Sequence, residues 1–138
     1  MNKKFFLPWV SVYLVNSLLG FLIHHVLLGP DYRELAGTLQ STAKDRIPFF
    51  ILSSIISTFF LTLIYVGWRK KGSMGEAMLY GFFIGLWMGS NMGLNTYASS
   101  DLIPLSLSLK WVLLVSTQYT LDGLFLGLIN KIASRQSI

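Results

Sequence analysis

The chain has 138 residues, 53% of them hydrophobic, 14% aromatic and only 12% charged, with a net charge of +5 and no cysteine. A soluble domain usually carries about 25% charged residues, so half that proportion in so short a chain, with a mean hydropathy of +0.58, is a membrane composition and leaves no room for a second, soluble domain. The missing thiols exclude disulfides, thiolate metal sites, iron–sulfur ligation and cysteine catalysis.

A helix that crosses a bilayer needs about 20 mostly apolar residues. Four stretches meet that requirement, 5–28, 48–68, 75–97 and 105–130. They predict an all-α, four-transmembrane-helix bundle in a single domain over 1–138. The first stretch follows Lys3 and Lys4, as a signal peptide would. It is long and has no Ala-x-Ala-like cleavage site after it, so it reads as a retained helix. It carries a polar stripe of Asn16, Gly20 and His24, while His25 points about 100° further round. The Gly29–Ile47 loop mixes Arg33, Lys44 and Arg46 with Asp31, Glu34 and Asp45. A weak helical pattern at Tyr32, Leu35 and Leu39 suggests a segment lying along the surface.

Pro48 suits the first turn of the second span. Ser54, Thr58 and Thr62 recur at every fourth place there, and hydroxyls so placed can bond back to their own helix carbonyls at little cost in lipid. Ser73-Met74-Gly75-Glu76 is a capping box that starts the third span. Within it Ala77, Gly81, Gly85, Gly89 and Gly93 recur at every fourth place and form one flat stripe. Lipid cannot drive helices together by the hydrophobic effect, whereas close backbone approach can. The stripe therefore predicts helix packing, within the bundle or between protomers. A pore-lining or ligand-facing stripe is the competing reading. Gly123 and Gly127 give the fourth span a second small face, and Asp101 before Pro104 can cap its start.

Lys3/Lys4, Arg69/Lys70/Lys71 and Lys131/Arg135 all lie at span ends on one side, which predicts cytoplasmic N- and C-termini. Anionic headgroups are then the partners of the net positive charge, rather than nucleic acid. Trp9, Trp68 and Trp111 fall near span ends, where amphipathic rings belong.

The remaining polar residues are out of place in lipid. Asn16 and Gln118 fall near mid-span, Asn91 somewhat outside it, and His24, His25, Asn95 and Lys110 in the outer half. Asp122 falls in the inner half. A charged carboxylate at depth costs about 2.5–3.5 kcal/mol, so Asp122 must be protonated, paired or hydrated. Two readings stand: a carboxyl coupled to protons, or a neutral acid that locks the bundle by bonding to Asn16 or a hydroxyl of the second span. His24 and His25 admit three: interfacial side chains, metal ligands, or haem ligands. Lys110 either snorkels to a headgroup or pairs with Asp101. No GxSxG, HExxH or P-loop occurs, nor a close carboxylate pair, so nothing marks an enzyme.

The segments Gly20-Phe21-Leu22-Ile23-His24-His25-Val26-Leu27-Leu28 and Lys71-Gly72-Ser73-Met74-Gly75-Glu76-Ala77-Met78-Leu79-Tyr80-Gly81-Phe82-Phe83-Ile84-Gly85-Leu86 resemble a group of small uncharacterised bacterial four-span membrane proteins. The resemblance covers the first and third spans and implies a multi-pass protein of the bacterial cytoplasmic membrane.

The leading functional expectation is an intramembrane polar site, formed by Asn16, His24, Asn91, Asn95, Gln118 and Asp122. It would bind or translocate a small solute, ion or lipid, and little room in one copy implies a homo-oligomer. The alternatives are a non-catalytic accessory subunit that docks its glycine stripe onto a larger membrane complex, and a metal or haem protein ligated by His24 and His25.

Overall fold

The computed structural model describes residues 3–37, 47–69 and 71–135. All their regular structure is helical: α1 (Lys3–Phe21) continues as a π-helical turn (Leu22–Leu27), followed by α2 (Gly29–Glu34), α3 (Ile47–Trp68), α4 (Met74–Ser99) and α5 (Leu105–Arg135).

Local chemistry accounts for the element ends. Pro30, near the start of α2, has no N–H to continue the ladder of the preceding helix. The chain instead closes a wider turn, in which the Leu28 N–H donates to the Ile23 carbonyl at 2.8 Å. Gly72 takes a left-handed φ of 63°, a conformation that glycine adopts without steric cost. It is followed by Ser73, whose hydroxyl accepts from the Glu76 N–H. The Glu76 carboxylate reaches back to accept from the N–H groups of Lys71 and Gly72 at 2.9 and 2.6 Å. The Pro104 carbonyl accepts from Leu107 and Ser108 at the start of α5.

These boundaries extend the expected ones: α4 runs to Ser99 and α5 to Arg135. The surface pattern after the first span becomes the short helix α2, which carries Tyr32. Leu39, Lys44, Asp45, Arg46 and Lys70 lie outside the described residues.

Three helical stretches are long and apolar enough to cross a membrane, Phe5–Leu27, Ile47–Trp68 and Leu105–Ile132. At 26 residues, α4 has the length but not the apolarity, because its glycines and asparagines dilute it. Leu14, Leu18, Phe49, Phe50, Trp87 and Leu113 are each more than 60% exposed. A water-facing protein rarely leaves so much large apolar surface uncovered, and hydrocarbon accepts it.

The four long helices alternate in direction. Phe5 and Trp9 meet Phe59 edge-on. Val12, Leu61, Tyr65, Ala77, Tyr80 and Leu126 form one core, and Arg69 Nη1 donates to Asn130 Oδ1 at 3.0 Å. These contacts gather the start of α1, the end of α3, the start of α4 and the end of α5 at one end of the bundle, called here the Arg69 end. Ile23, Leu28, Ile103 and Leu107 form a second core at the opposite end, with Tyr32 and Trp111 against it.

The most extensive helix contact is the antiparallel pair α4–α5. Gly81, Gly85, Gly89 and Gly93 are buried along it. A methyl group on Gly81 would collide with the Tyr119 carbonyl. One on Gly85 would lie 2.8 Å from Ser116 Cα, one on Gly89 3.0 Å from the Val112 carbonyl and one on Gly93 2.7 Å from the Ser108 carbonyl. From the other helix, Gly123 abuts the Ala77 carbonyl and Gly127 faces the Ala77 side chain. The two backbones thus lie against each other over most of α4, and dispersion between them replaces side-chain interlocking.

Candidate functional site

The polar residues near mid-span meet at Asn16. This side chain on α1 is buried, and its Nδ2 donates to Asp122 Oδ2 on α5 at 2.6 Å. Its Oδ1 accepts from the Ser54 hydroxyl on α3 at 3.1 Å. Its backbone carbonyl accepts from Gln118 Nε2 at 3.1 Å, and Gly20, one turn on, leaves room beside that amide. One asparagine thereby ties three helices, using both ends of its amide, which only Asn or Gln can do.

Asp122 is fully buried. Its Oδ1 has no hydrogen-bond partner, and among the described residues it makes no ion pair. Thr62 Oγ1 and the Tyr65 hydroxyl, both on α3 and both fully buried, are also without partners. Trp9 Nε1 and Ser108 Oγ complete the five buried side-chain atoms without partners among the described residues; each such atom costs about 1–3 kcal/mol, a large unspent hydrogen-bonding capacity. Thr58 differs, since its hydroxyl bonds back to the carbonyls of Ser54 and Ile55.

The structure brings together three of the six residues expected to form a site, Asn16, Gln118 and Asp122. It separates the other three from them. Asn91 and Asn95 lie exposed on α4, away from the glycine seam, where Asn95 Nδ2 donates to Asn91 Oδ1 at 2.6 Å. The glycine stripe sets this arrangement, because the α4 face that carries it is the one α5 covers.

His24 belongs to a second cluster, at the end opposite Arg69. The Tyr32 hydroxyl lies 2.7 Å from His24 Nδ1 and accepts from Trp111 Nε1 at 3.0 Å. The Tyr32 hydroxyl donates to Nδ1 when the ring N–H sits on Nε2, and accepts from Nδ1 in the other tautomer. The His24 and Tyr32 rings stack at 6.0 Å. Burial pushes the Tyr32 phenol up to about 12; the Trp111 indole N–H opposes that rise and the Asp31 carboxylate adds to it. Next to it Lys110 pairs with Asp31 at 2.6 Å, instead of with Asp101 as the sequence suggested. With Lys110 half exposed, such a pair contributes about 0–1 kcal/mol.

His25 is exposed and stacks on Phe21 at 4.7 Å. The two histidines therefore face different neighbours. Among the described residues no three His, Cys, Asp or Glu side chains come together as metal ligands, so a metal or haem on either histidine would need ligands from elsewhere.

Sequence reasoning missed Ser54, which was grouped with hydroxyls that bond back to their own helix. It also missed the grouping of Tyr32 with Trp111 and of Asp31 with Lys110. These pairs are 79 positions apart, and no local pattern joins them. Comparison with protein families, with curated proteins and with solved structures finds no match, so function has to be read from the geometry.

Proposed function

We propose that the chain is a four-helix protein of the bacterial cytoplasmic membrane, with both termini on the cytoplasmic side, in which Asp122 carries a proton at an intramembrane site. Asn16, Ser54 and Gln118 build the site, and the proton is coupled to the binding or movement of a small solute or ion. The observation that supports this reading is the state of Asp122: fully buried, held through one oxygen by Asn16, with the other oxygen unpartnered and no ion pair among the described residues. A residue needed only to lock the bundle could be a second asparagine, with no ionisable group at depth. Membrane acids mark proton relays and ion paths by default.

The four-span arrangement is supported by the α4–α5 seam, which buries the less apolar helix along one that is apolar enough to cross. The exposed Asn91–Asn95 pair supports a homo-oligomer, since amides facing acyl chains gain from bonding across a helix pair. The accessory-subunit alternative loses its proposed docking face, because α5 already occupies the glycine stripe.

Infrared difference spectroscopy across a pH titration tests the reading. A carboxylic-acid band should appear on acidification and vanish in Asp122→Asn, which keeps the size and hydrogen-bonding capacity of the side chain. In reconstituted vesicles the same substitution should abolish uptake driven by a pH gradient. A spectrum with no titrating band that depends on Asp122 would sink the proposal.

A further inference from the structure

We propose that Asp122 exchanges its proton with the Arg69 end of the bundle, through the Thr62 and Tyr65 hydroxyls and internal water, and not with the end that carries His24. This inference rests on the reading of Asp122 as a proton carrier.

The argument starts from register. On α3, Thr58, Thr62, Tyr65 and Arg69 follow one another at spacings of four, three and four, and so share one face. On α5, Asp122, Leu126 and Asn130 do the same. Three bonds fix the ends of the space between these faces: the two of the Ser54–Asn16–Asp122 bridge at depth and the Arg69–Asn130 bond at the end. Leu126 and Tyr65 belong to the same core cluster, so Tyr65 reaches the level one turn below Asp122. Its hydroxyl lies in the field of Arg69 and Glu76, which places the ring between the carboxyl and the charged end.

Three of the five orphaned atoms, Asp122 Oδ1, Thr62 Oγ1 and the Tyr65 hydroxyl, belong to residues of these two faces. A hydroxyl both donates and accepts, so it can take a proton from one neighbour and pass its own to the next. Buried polar groups without a protein partner are commonly joined by internal water, which makes about three hydrogen bonds. A relay of this kind moves one proton inwards onto the Asp122 carboxylate, or outwards from the acid, and leaves each hydroxyl as it was.

Towards the other end the one buried hydroxyl without a partner among the described residues is that of Ser108, and it faces Gly93 across the α4–α5 seam, away from α3. There Gln118 and the Asn16 carbonyl bond each other, and amides do not relay protons as hydroxyls do. Beyond them Ile23, Leu28, Ile103 and Leu107 form an apolar plug. Among the described residues the titratable group in the field of Asp122 is Tyr119, on its own helix, and its side chain bonds to that of Ser57 on α3.

The test follows hydrogen–deuterium exchange of the Asp122 acid band, assigned by its loss in Asp122→Asn. Tyr65→Phe and Thr62→Val remove a hydroxyl with little change of shape, and each should slow exchange by about tenfold or more without altering the melting of the purified protein. Exchange as fast as in the unsubstituted protein would overturn the path while leaving Asp122 a proton carrier. Failure to find any titrating Asp122 band would instead overturn the reading beneath it. Should the variants fold poorly, the unsubstituted protein decides the matter. In vesicles of known orientation, a pH jump on the Arg69 side should shift the band before one on the Lys110 side does. An equal or faster response from the Lys110 side would refute the path.

Discussion

Asn16 is the residue on which the interior turns. Its amide serves Asp122 and Ser54 at once, and its own carbonyl serves Gln118. Hydrogen bonds between membrane helices are worth about 0.6 kcal/mol on average and up to about 1.7. Asn16→Ala breaks two of them and strands Asp122, so it should lower stability by about 1–3 kcal/mol, read from unfolding of the detergent-solubilised protein. Asp122→Asn, which keeps a partner for Asn16, should cost clearly less. The contrast separates what the carboxyl does for the fold from what its proton does. Sequence alone put Asn16 and Asp122 among a few misplaced polar residues and offered their contact as one of two readings. It could not choose among the candidates, because depth counted from span ends says nothing about which way a side chain faces. Asn91 falls somewhat outside the depth of Asn16, and it lies on the exposed side of α4, away from the glycine seam.

Tyr32 gives a second residue-level prediction. Its phenol holds its proton up to about 12 in the folded chain, against 10.0 for the free group. The folded state is therefore the better proton binder between those values. The contribution of Tyr32 is complete below about pH 10 and is lost as pH rises towards about 12. The attachment of α2 to α5 should loosen over that window. A tyrosinate absorbance titration checks it: the difference between the parent chain and Tyr32→Phe should be one late-ionising phenol.

Among the elements, the α4–α5 pair has the sharpest requirements. An exposed helical glycine changed to alanine gains up to about 1 kcal/mol of helix propensity. Gly75, with nothing within 4 Å of an added methyl, should show that small gain or no change. Gly85 should do the reverse, since its methyl would meet Ser116 Cα at 2.8 Å and backbone cannot step aside cheaply. Overpacking of this kind costs about 1–3 kcal/mol. Unfolding of Gly75→Ala and Gly85→Ala side by side provides the measurement, and equal stabilities would show that the seam tolerates separation. The stripe was plain in the sequence because its period is that of the helix. Its partner was not, because a run of small residues specifies a flat face and leaves open what lies on it. The π-helical turn was also hidden: a proline at position 30 stops the ladder of the preceding helix, but whether that ladder ends, tightens or widens depends on where Tyr32 must go to meet Trp111.

At the scale of the whole molecule, the described residues place Lys3, Arg69, Gly72 and Arg135 at one end, and α2 with the turn before α5 at the other. On the proposed topology, reporter fusions after Arg69 and after Arg135 should report the cytoplasm, and fusions near Ser100 the opposite compartment. Opposite results for the first two would break the alternation itself. The lopsided build of α4 bears on how such a protein is made. Its glycines and asparagines leave it less apolar than the other three long helices, while α5, which meets it backbone to backbone, is synthesised immediately afterwards. On the proposed topology the two should therefore insert as a hairpin, and a chain truncated before Leu105 should leave α4 outside the bilayer.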